Sequence, residues 1–178
     1  EGNLKVVTSS ANQITNSSFA VPTSGKWYCE TLMTADGGGN PMVGVCEIGT
    51  TAGGTNPNVI YRHDGSVEES NSSTSGYATW TTGDVMAITY DADTNGGQVT
   101  FYKNNASQGT PETDTNTKIT EITGQLFFGC QNGHASTSTF MWNFGQDSSF
   151  AGNKTAQGNQ DSNDIGDFYY APPTGFLA

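Results

Sequence analysis

A pair of carboxylates held at a fixed separation is the chemistry of glycan-cleaving enzymes, in which one group acts as acid and the other as nucleophile or base. The nearest pattern in this chain is Glu112-Thr113-Asp114, the start of a Glu-x-Asp-x-x-Glu strand. Thr117 stands where the second Glu would be, and Pro111 precedes a segment with no apolar alternation. The pattern does not predict a catalytic strand, and we keep a glycan hydrolase or lyase only as an alternative.

Nucleophilic catalysis finds no better support in the two histidines, His63 and His134. A catalytic base must be oriented by a third group beside a nucleophile, and both histidines stand in polar stretches that point to no such partner. The sequence also holds no Gly-x-Ser-x-Gly turn that would present a serine. We therefore predict that the protein is not an enzyme and that both histidines are exposed to solvent.

Calcium is the metal for which the chain offers a recognisable pattern. Asp91, Asp93 and Asn95 match the first half of an EF-hand loop. The bidentate Glu expected at the twelfth position is replaced by Tyr102, and a plain turn explains the same residues. A second acidic cluster lies within residues 161–167. We keep both only as calcium candidates and predict no cofactor.

The composition excludes several kinds of partner. Only 6 Lys and Arg residues stand against 17 Asp and Glu residues, which gives a net charge of -11. Phosphate binding requires clustered basic residues, so we expect neither a nucleic acid nor an anionic membrane surface as partner. No stretch approaches the roughly 20 apolar residues of a spanning helix, so we also expect no membrane insertion.

The three cysteines, Cys29, Cys46 and Cys130, have a spacing that fits no zinc or redox motif. All three lie in strand-like stretches, so we interpret them as small buried hydrophobic residues. An odd number leaves at least one unpaired, and the sequence does not settle the pairing of the others.

Short strands joined by polar loops account for most of the chain. Residues 85–90 and 99–102 are rich in β-branched and apolar side chains and flank a turn at 93–97, which indicates a central hairpin. Strand geometry places one set of large side chains in the core: Val85, Ile88, Phe101, Phe140, Trp142 and Phe144. Further strands are predicted at 4–8, 13–15, 26–33, 42–48, 58–62, 125–130 and 137–144, with another beginning at 77–80.

Two long stretches lack this pattern. Residues 63–76 are predicted to lie mostly at the surface, and residues 147–167 to form a long surface loop that leads to a C-terminal strand at 168–178. No helical period appears, so the sequence predicts a single all-β domain over residues 1–178. Because the chain begins at Glu1 without Met, we also expect a piece of a longer polypeptide, through which it could form a homo-oligomer.

The central hairpin resembles that of SPRY domains over Gly83-Asp84-Val85, Ile88-Thr89-Tyr90-Asp91 and Val99-Thr100-Phe101-Tyr102-Lys103-Asn104-Asn105. Other landmarks follow in family order: Ser24-Gly25-Lys26-Trp27-Tyr28-Cys29-Glu30, Val43-Gly44-Val45, Phe127-Phe128-Gly129 and Trp142-Asn143-Phe144-Gly145-Gln146. Residues 168–176 are similar to the tail of SPRY modules in bacteriophage proteins. Cys29 departs from the family, in which many members carry an aromatic residue. The resemblance implies a two-sheet antiparallel, concanavalin-like sandwich with long polar loops.

SPRY domains bind their ligands on loops from separate parts of the chain, so the resemblance also implies a site. Three segments are concerned: the loop before the strand that begins at residues 24–26, the segment after residues 43–45, and the loop that follows residues 127–129. They contain Asn12 and Asn16 and the predicted ligand-binding residues Tyr61, Arg62, His63, Gln131, Asn132 and His134. We expect all of these six except His63 to share one surface patch, with Tyr61 offering an aromatic face and Arg62 anchoring an anionic group.

The sequence therefore favours a non-catalytic binding module of a bacteriophage virion, carried on a tail, a fibre or the capsid. Its expected partner is a host surface glycan or protein, and its expected location is the virion or the extracellular space. The alternative is an assembly or decoration domain that binds only other virion proteins. Exposed aromatic side chains in the loops would favour the first role, and a large apolar patch the second.

Overall fold

A computed structural model describes residues 4–8, 14–49, 58–69, 72–94, 97–109, 124–134 and 136–178. Within these ranges the chain forms strands and no helix, so none of the residues described forms a helix that could span a membrane. The strands are β1 (Leu4–Thr8), β2 (Thr15–Asn16), β3 (Lys26–Ala35), β4 (Pro41–Glu47), β5 (Asn58–Arg62), β6 (Ser66–Glu69), β7 (Ser72–Ser75), β8 (Val85–Asp91), β9 (Gln98–Lys103), β10 (Ala106–Ser107), β11 (Leu126–Asn132) and β12 (Ser138–Asn143). The predicted all-β class is confirmed.

The strands form two antiparallel sheets of six strands each. The first sheet has the order β1-β12-β3-β8-β9-β10, and the second has the order β2-β11-β4-β5-β6-β7. Neighbours in the chain often lie in different sheets, as do β3 and β4, or β11 and β12. The inward side chains of the two sheets form one core between them, which makes the fold a sandwich.

The central hairpin forms as predicted, with Ile88 opposite Phe101 and Tyr90 opposite Val99. Cross-strand partners point to the same face of a sheet, so these four side chains enter the space between the sheets together. Phe140 of β12 joins them from the other side of β3. The hairpin is therefore the middle of the core and supports the loops at both ends of the sandwich.

Five of the six predicted core residues are buried, and the sixth, Phe144, is half-buried just past the end of β12. Val85 differs from the other buried residues in the direction it faces. It packs with Leu32 and Phe150 on the outer face of the first sheet, not between the sheets. The predicted burial is confirmed for these five, and the layer that covers Val85 is a finding of the structure.

Two strands lie where the sequence predicted polar surface. β6 and β7 extend the second sheet beyond β5, and β7 consists only of Ser and Thr. A polar edge strand needs no apolar alternation, because one side of its backbone is paired and its side chains are solvated. The strand predicted to begin at 77–80 is absent. These residues form an irregular link in which Trp80 is buried and donates its backbone N–H to the carbonyl of His63.

The prediction of a C-terminal strand is wrong. Residues 168–178 form no strand and take part only in isolated bridges. The C-terminal segment, residues 147–178, instead folds over the outer face of the first sheet, where the Phe168 ring packs edge-on against Tyr28 at 5.2 Å between centroids. Residues 147–167 contain no strand, although Phe150 within them is buried. Burial of aromatic side chains helps to hold this segment on the sheet, together with backbone hydrogen bonds of Leu177 to Lys26 and Tyr28.

A buried carboxylate ties the C-terminal segment to the sheet. Glu30 of β3 is fully buried and accepts backbone N–H bonds from Tyr169 at 2.9 Å and Tyr170 at 2.7 Å. The hydroxyl of Tyr28 and the side-chain amide of Asn143, each at 3.0 Å, donate to the same carboxylate. Burial raises the pKa of Glu30, and these four hydrogen bonds offset part of that rise. Glu30 is thus the anchor of the C-terminal segment.

All three cysteines are buried and form no disulfide, as expected for small hydrophobic residues. Burial raises the pKa of Cys46 and of Cys130 to about 12. Since the thiolate is the reactive form, neither side chain is poised as a nucleophile.

Candidate functional site

Three turns and one link meet at one end of the sandwich, beyond the start of β4. The backbone N–H of His63 donates to the carbonyl of Pro41 at 3.0 Å, and that of Gly133 donates to the carbonyl of Asn40 at 2.9 Å. The bond from Trp80 to His63 brings the irregular link to the same place. We call the polar side chains at least partly exposed here the histidine surface: Asp36, Asn40, His63, Asp64, His134 and Thr137.

Asn132 holds these turns together from beneath. Its side-chain oxygen accepts N–H bonds from Asn40 at 2.9 Å and His134 at 3.1 Å. Its amide donates to the hydroxyl of Ser138 at 2.9 Å and to the carbonyl of Ser136 at 3.1 Å. The prediction that Asn132 lies on the surface is wrong, because an amide with no exposed area satisfies the backbone groups of two turns.

The prediction that Tyr61 presents its ring to a ligand is also wrong. Tyr61 is fully buried, and its ring packs against Phe101 at 5.2 Å and Trp80 at 6.3 Å between centroids. Its hydroxyl donates to the carbonyl of Ala78. The alternation of β5 accounts for this position, since Tyr61 shares the inward face with Val59.

Arg62 and Gln131 lie on either side of Met42 on the outer face of the second sheet. The register thus places them on β5 and β11, the two strands that flank β4, whereas the sequence predicted that both lie in one surface patch. Gln131 is buried, however, and its amide contacts the Met42 sulfur at 3.2 Å. The guanidinium of Arg62 pairs with the buried carboxylate of Glu68. Neither side chain is presented as the predicted patch required, because the sheet uses both for its own packing.

We expect Arg62→Ala to lower the free energy of unfolding by about 1–3 kcal/mol, because it removes a charge-assisted hydrogen bond to the buried Glu68. Urea unfolding measures the loss. Lys5→Ala is the matched control, since Lys5 is an exposed cation whose removal should change stability by no more than about 0.5 kcal/mol. Equal unfolding energies for the two variants would contradict this role of Arg62.

The two histidines lie on turns of the histidine surface and differ in exposure. His134 is exposed, which confirms the prediction for this residue. His63 is half-buried, and its ring lies edge-on to the buried Trp80 at 6.5 Å between centroids. The structure therefore holds one imidazole against the core and leaves the other on the adjacent turn.

Acidic and amide groups complete the histidine surface. Burial alone would raise the pKa of Asp64, but hydrogen bonds from Ser66 and the charges of Arg62 and His63 outweigh it, so that this pKa lies below its usual value. The side-chain oxygen of Asn40 is buried and has no hydrogen-bond partner among the residues described. Fixed donors and acceptors of this kind suit the hydroxyl groups of a sugar or the amides of a peptide.

The calcium candidates close a turn by themselves. Asp91 pairs with Lys26 at 2.8 Å and accepts backbone N–H bonds from Asp93 and Thr94, both at 3.1 Å. Asn95 lies outside the described residues. In the part of the chain that the structure covers, no group of three or more His, Cys, Asp or Glu side chains could hold a metal ion.

The remaining acidic candidates are Glu112-Thr113-Asp114 and the cluster within residues 161–167. Glu112-Thr113-Asp114 lies outside the residues described, so the expectation about it stays a prediction. In the second acidic cluster, Asp161 accepts backbone N–H bonds from Asn163 at 2.8 Å and Ile165 at 3.1 Å. The carboxylate of Asp161 also accepts from the backbone N–H of Ala178 at 3.0 Å, so it joins its own turn to the residue at 178.

The opposite end of the sandwich carries a feature that the sequence analysis missed. Residues 17–22 run along β11 towards its first residue. The backbone N–H of Ser17 donates to the carbonyl of Phe128, and that of Val21 donates to the carbonyl of Leu126, both at 2.7 Å. The loop before β3 therefore lies away from the histidine surface, although the resemblance placed it there. Beneath it are two adjoining cavities of about 290 and 170 Å³. An aromatic residue in a polar stretch, Phe19, was the signal in the sequence.

Two packed antiparallel sheets with these connections define a concanavalin-like sandwich. Within that class, the chain has the SPRY-like fold. It is similar to the SPRY domain of human HERC1, with a TM-score of 0.58 and 16% identity over 72% of this chain and 79% of that chain. It is also similar to a second solved human SPRY domain, with a TM-score of 0.54 and 15% identity over 71% of this chain and 82% of that chain. No family model and no curated protein matches the sequence.

Proposed function

We propose that this domain is a non-catalytic recognition module of a bacteriophage virion, carried on a tail, a fibre or the capsid. In this proposal the histidine surface binds a host surface glycan or protein. The observation that supports it is the convergence of turns from separate parts of the chain, fixed from below by the buried Asn132. A rigid sandwich that presents polar turns at one end is a common recognition design. The similarity of residues 168–176 to the tails of phage SPRY modules supports the virion context.

The use of the carboxylates supports a role in binding and not in catalysis. Glu30 anchors the C-terminal segment, Glu68 pairs with Arg62, and Asp91 closes a turn with Lys26. A hydrolase would need two carboxylates facing one cleft with different pKa values. The described carboxylates named here are instead engaged in bonds that hold the fold together.

The charge of the protein limits which classes of ligand we expect. The net charge of -11 repels polyanions at long range, and Asp36 and Asp64 add carboxylates at the histidine surface. Arg62, which the sequence suggested as an anchor for an anionic group, is committed to Glu68. We therefore propose a neutral glycan or a basic protein surface as the ligand, in place of an acidic polymer.

Removal of both imidazoles tests the proposal. The double variant His63→Ala with His134→Ala should bind its ligand about tenfold more weakly, which corresponds to the loss of about one net hydrogen bond or two. Its melting temperature should stay close to that of the wild type, because His134 is exposed and His63 keeps its backbone bonds. The measurement is binding to an array of neutral and acidic bacterial surface glycans and to purified host envelope proteins.

Asn163→Ala is the control, since Asn163 is an exposed polar residue outside the histidine surface. Unchanged binding in the double histidine variant would remove the histidine surface from the proposal. Binding only to other virion proteins would favour the assembly or decoration role. Cleavage of any glycan on the array would overturn the non-catalytic reading.

A further inference from the structure

The larger cavity at the end opposite the histidine surface is walled mainly by rings. It lies between the segment 17–25, the start of β3 and the chain just past β12, and it has a volume of about 290 Å³. We call it the aromatic cavity; it is lined by Phe19, Ala20, Pro22, Trp27, Tyr28, Phe128, Phe144 and Ala178. Phe19 stands at its mouth with 43% of its surface exposed. Phe19 thus continues the apolar lining of the cavity out to solvent, and a contiguous exposed apolar patch is a common mark of a binding surface.

The walls of the aromatic cavity are fixed before any ligand arrives. The ring of Phe144 meets Phe19 edge-on at 4.8 Å, lies 5.8 Å from Phe128 and stacks on Trp142 at 5.6 Å with 5° between the planes. Phe128 and Trp142 are buried in the core, so this set of rings is supported by the sandwich. A cavity whose rings are already held in place takes an apolar group without first having to order its own side chains.

The polar atoms of the Trp27 and Tyr28 side chains, which line the cavity, already form hydrogen bonds within the protein. The indole N–H of Trp27 donates to the carbonyl of Ser24 at 2.8 Å, and the hydroxyl of Tyr28 donates to Glu30 at 3.0 Å. A sugar placed in the cavity would find few partners for its hydroxyl groups, and an unpaired buried hydroxyl is costly. An apolar side chain meets no such cost. The chemistry of the lining therefore favours a protein partner over a glycan.

The charged groups beside the mouth of the cavity indicate which residues would flank an apolar side chain bound there. Asp93 is exposed and accepts the N–H of Gly25 at 2.9 Å, and an added Cβ on Gly25 would touch the Trp27 ring. Lys26, the cation nearest in sequence, is paired with Asp91. The mouth thus carries more negative than positive charge, as does the whole chain. A Lys or Arg next to the apolar group would complement it.

We propose that the aromatic cavity binds an aromatic or branched apolar side chain of a protein partner that carries Lys or Arg beside it. This site is separate from the histidine surface and does not depend on what that surface binds. It gives the domain two faces for recognition, one polar and one apolar, at opposite ends of the sandwich.

Short peptides test the proposal by NMR. An acetylated Lys-Trp-Lys amide should shift the backbone amide signals of Ala20, Phe128 and Phe144 and saturate at millimolar concentration. The charge-reversed Glu-Trp-Glu amide should bind at least about fivefold more weakly, since two charges change sign beside the exposed Asp93. Methyl glucoside should leave these signals in place. Stronger shifts with the glucoside than with the peptide, or no shifts with the peptide, would overturn the assignment.

Two variants locate the binding. Phe19→Ala should weaken binding of the Lys-Trp-Lys amide by about fivefold or more, because it removes the ring at the mouth. Ala20→Leu should weaken it too by filling the cavity. Val7→Ala is the control, because Val7 is a similarly exposed apolar residue that does not line the cavity. Binding that is equal in the two cavity variants and the control would show that the peptide binds elsewhere.

Discussion

Glu30→Gln should lower the free energy of unfolding by about 1–3 kcal/mol, because it leaves at least one buried donor facing a donor. The carboxylate accepts from Tyr170 and Tyr28 on one oxygen and from Tyr169 and Asn143 on the other. Glutamine keeps the volume and one oxygen, but its NH₂ group must face one of these pairs. When the NH₂ group faces Tyr170 and Tyr28, the Tyr28 hydroxyl can turn and accept from it. At least one hydrogen bond, from the backbone N–H of Tyr170, is then lost in a site without exposed surface. Urea unfolding followed by tryptophan fluorescence measures the change.

Asp36→Asn is the matched control for this charge removal. Asp36 is exposed and accepts from Gly38 at 3.0 Å and Gly39 at 3.3 Å through a single oxygen, which asparagine retains. We expect a change of no more than about 0.5 kcal/mol there. A similarly small loss for Glu30→Gln would mean that the Glu30 carboxylate is not the anchor of the C-terminal segment.

Phe101→Ala should cost about 3–5 kcal/mol, the usual loss for a fully buried phenylalanine. Phe101 has no exposed surface and lies opposite Ile88, with the Tyr61 ring 5.2 Å away. The small side chain would leave a void that the surrounding strands, fixed by their ladders, fill only in part. Thermal and urea unfolding both report this loss.

Phe101→Leu distinguishes a void from a general disturbance of β9. Leucine keeps most of the apolar volume, so we expect it to cost less than about 1.5 kcal/mol. Losses below about 1 kcal/mol for Phe101→Ala would show that Phe101 does not face the core and that the register of the hairpin is wrong.

The sequence predicted the fold where side-chain pattern alone determines structure. The hairpin around residues 85–103 and the inward rings Phe101, Phe140 and Trp142 follow from strand geometry, and their burial is confirmed. β7 could not be found in this way, because an edge strand of Ser and Thr is defined by its pairing with β6. The C-terminal segment was misread for the opposite reason. Its aromatic residues look like a strand, yet they cover a sheet instead of joining it.

The candidate site was harder to predict because exposure depends on neighbours distant in sequence. The register places Arg62 on β5 and both Gln131 and Asn132 on β11, with β4 between the two strands. Amide and guanidinium groups serve structure and recognition equally well, and only their partners decide which role they have. Asn132 accepts hydrogen bonds from the backbone of two turns, and Arg62 forms an ion pair with Glu68. The aromatic cavity could not be predicted from the sequence because its walls come from four separate parts of the chain.

The Glu30 anchor also constrains the order in which this protein can fold. It joins β3 to residues 139 and 140 positions further along the chain. Contacts of such long range are slow to form, because the chain must close a large loop before any bond compensates the lost entropy. During synthesis, β3 therefore leaves the ribosome long before the segment that covers its outer face. Until then Leu32 and Val85 stay exposed to water, so the growing chain passes through an aggregation-prone stage that ends when residues 147–178 cover the sheet.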